Sequence, residues 1–343
     1  MRLRPPTPRE QIYDYYWYFA SERQAVFERR VAGLPAPWTD DAILQTFKFC
    51  NVFRAADRVS QYMIRDVCYH DEPCTPEDRI FQIVVFRTFS KIETWRSVRA
   101  FLGRYPTLDD LGDGSLTRAL DQARRENGGL YTGAFILCAT DAYGQGRKHL
   151  NHVELFRHMF LADSLGVKLL AAKSLREVYD LLHAYPLMGD FMSYQTTIDL
   201  NYSELINFSE NEFTQAGPGA LRGIKKCFER LGDYQPTDVI GWMVDNQEKE
   251  MEQLGLPFNG LWGRPLHAID CQGLFCETDK YCREAAPELA SARKRIKARF
   301  DPSAEPIELF FPPKWGINHK LPKGAVIGTS TARARPDAQD TLF

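Results

Sequence analysis

The chain has 343 residues, 44% of them hydrophobic and 13% aromatic, which is enough for a full core and excludes collagenous, coiled-coil and wholly disordered chains. Its 43 basic and 45 acidic residues leave a net charge of -2, so any contact with nucleic acid must come from a local basic surface. No apolar run approaches the roughly 20 residues needed to span a bilayer, and the basic start is followed by no apolar leader, so a cytoplasmic, non-membrane protein is expected. Eight scattered cysteines in so large a chain read as reduced thiols.

Helix starts recur along the sequence. Thr7-Pro8-Arg9-Glu10 and Thr75-Pro76-Glu77-Asp78 each offer an N-cap hydroxyl, a proline at the first helical position and a carboxylate three residues on. Ser174 with Glu177 and Ser209 with Glu212 have capping-box spacing. Apolar residues then follow at helical intervals, as in Ile80, Phe81, Val84 and Val85, or Val239, Ile240, Met243 and Val244. Strand-like alternation is confined to Leu130–Cys138, which reads equally as buried helix. A mostly α architecture is expected, with a helical extension over 1–46, a main region over 47–322 and a mobile tail over 323–343.

Phe213 to Lys226 contains Gly217-Pro218-Gly219 between two short helical patterns and resembles a helix-hairpin-helix spanning about 209–227. Bare backbone at a helix N-terminus can set its amides against a phosphate, and Arg222, Lys225 and Lys226 would add charge there. An ordinary corner between helices fits the same residues. Pro236-Thr237-Asp238-Val239 follows at the distance found in helix-hairpin-helix DNA glycosylases, where a carboxylate faces a flipped nucleotide, although Asp238 also suits a plain N-cap of a helix running to Gly255.

Four further stretches stand in order: Phe49-Cys-Asn51-Val-Phe-Arg54-Ala-Ala-Asp57-Arg58-Val-Ser-Gln61-Tyr62; Tyr194-Gln195 through Asp199 and Asn201 to Ser203; Ser209-Glu210-Asn211 onward to Gly219; and Asp270-Cys-Gln272 through Cys276, Glu277 and Lys280 to Tyr281. Together they resemble the α-glutamyl/putrescinyl thymine pyrophosphorylases, or amino-acid:DNA transferases, and the related helical domain attached to 5-hydroxymethyluracil DNA kinases. The resemblance runs from about Phe47 to Pro313-Lys314-Trp315-Gly316. It implies a helix-hairpin-helix glycosylase-like helical fold with N-terminal additions, double-stranded DNA with modified thymine as substrate, and a functional link to a 5-hydroxymethyluracil DNA kinase in phage. The implied reaction displaces pyrophosphate from 5-(pyrophosphoryloxymethyl)uracil with an amino acid or polyamine. A divalent cation could accompany the pyrophosphate, and no other cofactor is expected. The kinase pattern Gly-x-x-x-x-Gly-Lys-Ser/Thr does not occur in the sequence.

Such chemistry needs cations for the leaving group, a carboxylate for the ammonium proton, and polar and aromatic groups for the base. Asp199, Asp238, Asp270 and Glu277 are candidate bases or ammonium binders; Arg54, Arg58 and Lys280 are candidate phosphate ligands. Asn51, Gln61 and Gln195 are candidate base readers, with Asp57 and Gln272 beside them in the same motifs. Duller readings stand alongside: Arg54, Asp57, Arg58 and Gln61 have the spacing of a surface ladder, Glu277 and Lys280 that of a solvated pair, and Asp199 could anchor a turn. A glycosylase that excises a modified pyrimidine, or a noncatalytic DNA-binding partner, is the alternative function. His149 and His152 lack an obvious third metal ligand, Cys271, Cys276 and Cys282 lack an iron–sulfur spacing, and the cations from Arg293 to Arg299 fit a solvated helix side as well as DNA.

Overall fold

The structure, a computed structural model, describes residues 3–132, 141–289, 295–296, 298–301 and 305–328. Its α-helices are α1 (Glu10–Val31), α2 (Ala42–Thr46), α3 (Arg58–Met63), α4 (Pro76–Phe89), α5 (Ile92–Leu102), α6 (Leu108–Gly112), α7 (Ser115–Asn127) and α8 (Lys148–Phe156), followed by α9 (Leu165–Ala171), α10 (Leu175–His183), α11 (Asp190–Tyr202), α12 (Pro218–Cys227), α13 (Pro236–Gln253) and α14 (Ala268–Ala285). The expected mostly helical architecture is what is found. Two short antiparallel pairs complete it, β1 (Thr7–Pro8) with β2 (Phe228–Arg230), and β3 (Ile307–Glu308) with β4 (Val326–Ile327). No described helix is long and apolar enough to cross a membrane.

The helix starts separate by what surrounds them. Thr75 accepts the Asp78 amide at 3.0 Å while Asp78 bonds back to the Thr75 amide, the reciprocal capping box expected of α4. Ser174 likewise accepts the Glu177 amide at 3.1 Å and opens α10. Thr7-Pro8 does not cap α1. It is drawn out as a strand beside β2, a use that suits a proline with no amide to donate, and α1 starts after an uncapped Arg9 whose amide donates to Cys227 O at 2.7 Å. Ser209–Glu212 forms a turn and no helix; Glu212 reaches across the fold and accepts the Leu175 amide at the start of α10.

α11 occupies the middle of the protein. Every residue from Met192 to Tyr202 is buried, so the helix has no solvent face and no amphipathic stripe. Its hydroxyls survive burial by bonding back one turn: Thr196 Oγ1 donates to Met192 O and Thr197 Oγ1 to Ser193 O, both at 2.8 Å. α1 is equally integral, with Tyr16, Trp17 and Phe19 fully buried and the Tyr16 and Phe275 rings 4.7 Å apart.

The glycine-rich segment differs from its expected geometry. The chain between Tyr202 and Gly217 contains no helix, so the short helical pattern expected before Gly217 is absent; the element that precedes α12 is α11, ending at Tyr202. The glycines of α12 serve close packing against α14. A Cβ at Gly219 would stand 2.7 Å from Cys276 Sγ, and one at Gly223 only 2.0 Å from the Phe275 carbonyl oxygen. Gly223→Ala should therefore push two central helices apart and cost about 1–3 kcal/mol or more. Gly241→Ala, at a helical position with open space around it, should instead stabilise by about 0.5–1 kcal/mol. Urea unfolding of the two variants checks the opposite signs.

The segment expected to be a mobile tail begins differently: residues 326–327 are the strand β4, paired in register with β3, while 329–343 lie outside the described residues. Of the candidate strand Leu130–Cys138, residues 130–132 have no strand structure and 133–138 lie outside the described residues, as do 293, 294 and 297 of the basic run.

Candidate active site

The segment 49–61 is irregular because its polar groups answer to other parts of the fold. Asn51 Nδ2 donates to Ala56 O at 2.7 Å and the Asn51 amide donates to Asp57 Oδ1 at 2.8 Å, closing a loop whose middle is a short 3-10 turn, Arg54–Ala56. The surface ladder does not form. Arg54 turns inward, Asp57 holds the loop, Arg58 pairs with Glu305, and Gln61 is wholly buried between Ala55 O and the Phe310 amide, each at 2.7 Å. Gln61 and Arg58 thus have structural partners where base reading and phosphate binding were expected.

Beneath this loop lies a buried ion centre. Arg54 Nη2 meets Asp199 Oδ1 at 2.7 Å, Arg54 Nε donates to Gln195 Oε1 at 2.8 Å, and the second Asp199 oxygen is bonded by Arg87 Nε. Asp199 is fully buried and Arg87 nearly so. Both carboxylate oxygens are taken by guanidinium groups, which leaves neither for an incoming ammonium. Arg87, which comes from α4, carried no motif in the sequence; it sits within the apolar run Ile83–Phe89, where a lone cation is the available signal.

α14 closes the loop from the other side. Asp270, at the third position of that helix, accepts the Arg54 amide at 3.0 Å and the His267 amide at 3.1 Å. Burial, with Glu210 adding to it, raises its carboxyl to about 7. Glu210 itself pairs with Arg264 at 2.7 Å, and the Arg264 guanidinium lies 3.7 Å from the centre of the Trp315 ring. Lys314, from the Pro-Lys-Trp-Gly motif, donates to the carbonyls of Asn201, Ser203 and Ile206 and so ties off the end of α11. Burial lowers its ammonium to about 8.

Farther along α14, Glu277 and Lys280 form a 3.2 Å pair that does more than solvate a helix. Glu277 accepts the Cys50 amide at 3.0 Å, and Lys280 donates to Lys48 O and lies over the Phe49 ring. Glu277 acts on Asp57, and both act on the exposed Cys50, whose thiol is raised first by Glu277, then by Asp57. Asp57 is raised to about 6 by burial, with Glu277 adding to the effect and Arg23 and Arg54 opposing it. Arg23 of α1 donates to Asn51 Oδ1 at 2.6 Å and keeps its Nη1 buried without a hydrogen-bond partner. The sequence reading missed Arg23, which lies among the aromatic residues of α1 and outside every motif.

Several expected residues stand apart. Asp238 is at the third position of α13, not its N-cap; it is exposed and accepts the Gln235 amide at 2.8 Å. Among the described residues it makes no ion pair. Asp238→Asn is therefore expected to leave stability within about 0.5 kcal/mol and any turnover near normal, which an activity assay beside a melting curve checks. Arg222 and Lys226 turn to the fully buried Asp279, at 3.3 and 3.0 Å, with Arg283 a third partner at 2.8 Å; of the expected DNA contacts in α12 only Lys225 is exposed. His149 bonds Asp121, while His152 bonds Tyr131. Among the described residues no three His, Cys, Asp or Glu side chains gather as a metal-binding group.

The fold and the site thus define a helical domain in which a charged cluster of Asp57, Glu277, Lys280 and Arg23 adjoins a buried Arg54–Asp199–Arg87 centre. The chain belongs to the family of the helical domain of 5-hmdU DNA kinases, whose family model matches residues 10–291. It is 27% identical over 305 residues to a 5-hmdU DNA kinase of Bacillus phage SP10, an alignment that covers 83% of this chain and 47% of that protein. The chain spans about half the length of this relative. No solved structure matches.

Proposed function

We propose that the protein acts in thymine hypermodification of phage DNA, and that it joins an amino acid or polyamine to a base already carrying a leaving group. In this reading the amine nitrogen bonds to the methylene of 5-(pyrophosphoryloxymethyl)uracil, the methylene–oxygen bond breaks, pyrophosphate departs, and the ammonium proton passes to a carboxylate. Membership of the kinase helical-domain family supports the pathway, because such a kinase would supply the phosphorylated base.

The observation that carries the finer step is Asp57. It is a carboxylate tuned to about 6, hydrogen-bonded in the structure at one oxygen, with Glu277, Arg23 and Arg54 acting on it and Lys280 paired to Glu277. A base near neutrality suits proton removal from an ammonium, and neighbouring cations suit a departing pyrophosphate. Asp199 serves as the positioning residue for Arg54, and Asp270 as the anchor of the Arg54 backbone. The test is incubation of pyrophosphorylated hydroxymethyluracil DNA with glycine, serine, glutamate and putrescine, followed by mass analysis of the nucleosides. A new aminated nucleoside supports the reading; none with any amine rejects it.

A further inference from the structure

On α11, Phe191, Gln195 and Asp199 lie at intervals of four, so they line one face from the surface down to the buried ion centre. Phe191 at the outer end is 36% exposed. It packs where α12 begins: a Cβ at Gly217 would stand 3.3 Å from Phe191 Cδ2 and 3.2 Å from Gln272 Nε2, so ring and carboxamide meet over a residue without a side chain. Gln272 is only 3% exposed, yet its carboxamide makes no hydrogen bond among the described residues. The polar atoms of this carboxamide are not closed off from solvent, so it is available to a ligand as donor and acceptor.

Gln195, one turn inward, is 5% exposed and fixed in orientation. Arg54 Nε is a donor and can face only the oxygen of the amide, at 2.8 Å, which leaves the Gln195 NH2 as the free end. A carboxamide locked this way has its oxygen turned to Arg54 and its NH2 donors as the end left for a ligand.

We propose that Phe191, Gln195 and Gln272 seat the flipped pyrimidine, with Phe191 against its face and the Gln195 NH2 selecting a carbonyl over an amino group at C4. Uracil presents O4 to that donor, whereas cytosine presents N4–H2, so two sets of donors would face each other. Gln272 completes the edge, because a free carboxamide can both donate and accept. The proposal rests on the reading of the protein as one that acts on a uracil base, and it assigns the residues that distinguish uracil from cytosine.

The test is competition binding of duplexes carrying one 5-hydroxymethyluracil or one 5-hydroxymethylcytosine to wild type, Gln195→Glu and Gln272→Leu. Glutamate at 195 keeps the contact to Arg54 and replaces the donor with an acceptor; the Arg54, Arg87 and Asp199 group carries a net positive charge that accommodates it. Wild type should favour the uracil duplex by about tenfold. Gln195→Glu should bring the ratio to within about twofold of unity or reverse it, and Gln272→Leu should also shrink it. No preference in wild type, or the wild-type ratio kept by both variants, overturns the proposal. The assay contains neither amine nor leaving group, so a base preference without any transfer would leave this pocket standing and remove the transferase, while transfer with unaltered ratios would remove the pocket alone.

Discussion

Replacing Asp199 with asparagine is expected to destabilise the protein by about 3–5 kcal/mol, the cost of leaving buried charge uncompensated. The carboxylate is fully buried and holds Arg54 at 2.7 Å on one oxygen and Arg87 on the other. An amide offers those two guanidinium groups one acceptor and no charge. Asp180→Asn provides the contrast, since Asp180 is exposed and its pair with Arg176 is solvated; its effect should stay within about 0.5 kcal/mol. Urea midpoints at unchanged slope measure both. A loss below about 1 kcal/mol at Asp199 would mean that the two arginines find other partners, and that Asp199 does not anchor Arg54.

The second large effect concerns the carboxylate above that centre. Asp57→Asn should lower the rate of amine transfer by about 10² to 10⁴ while DNA binding persists. Burial holds the Asp57 carboxyl up at about 6, so the ionised form that accepts a proton predominates above that pH and is lost below it. The wild-type rate should accordingly fall as pH drops through about 6, and this inflection should vanish from the residual activity of Asp57→Asn. An inflection that survives the substitution would move the base to another group, with Asp270, raised to about 7, as the next to test.

The helical class, the caps of α4 and α10 and the motifs that meet at the site were legible because each rests on local residue chemistry. Asn51, Arg54, Asp57, Gln195, Asp270, Glu277 and Lys280 come from three distant stretches, and one connected network joins them. What misled were signals that mean the same thing locally in two different settings. Gly219 read as backbone freed for a phosphate, yet a helix pressed against α14 needs the same bare position. Lys226 and Arg222 read as a basic surface because Asp279, their partner, lies more than fifty residues away. Asp238 carried the sequence signature of both a cap and a catalytic base, and in the fold it is exposed and accepts the Gln235 amide. Arg23 and Arg87 were invisible because their environments arise only when α1 and α4 pack against the loop and α11.

The most direct measurement is a single-turnover inventory of products from pyrophosphorylated hydroxymethyluracil DNA and an accepted amine, counting pyrophosphate, aminated nucleoside and free base in the same reaction. One pyrophosphate should be released per aminated nucleoside, with no free base, and both products should be lost together in Asp57→Asn. Free base with an abasic strand, or pyrophosphate without amination, would contradict the proposed transfer.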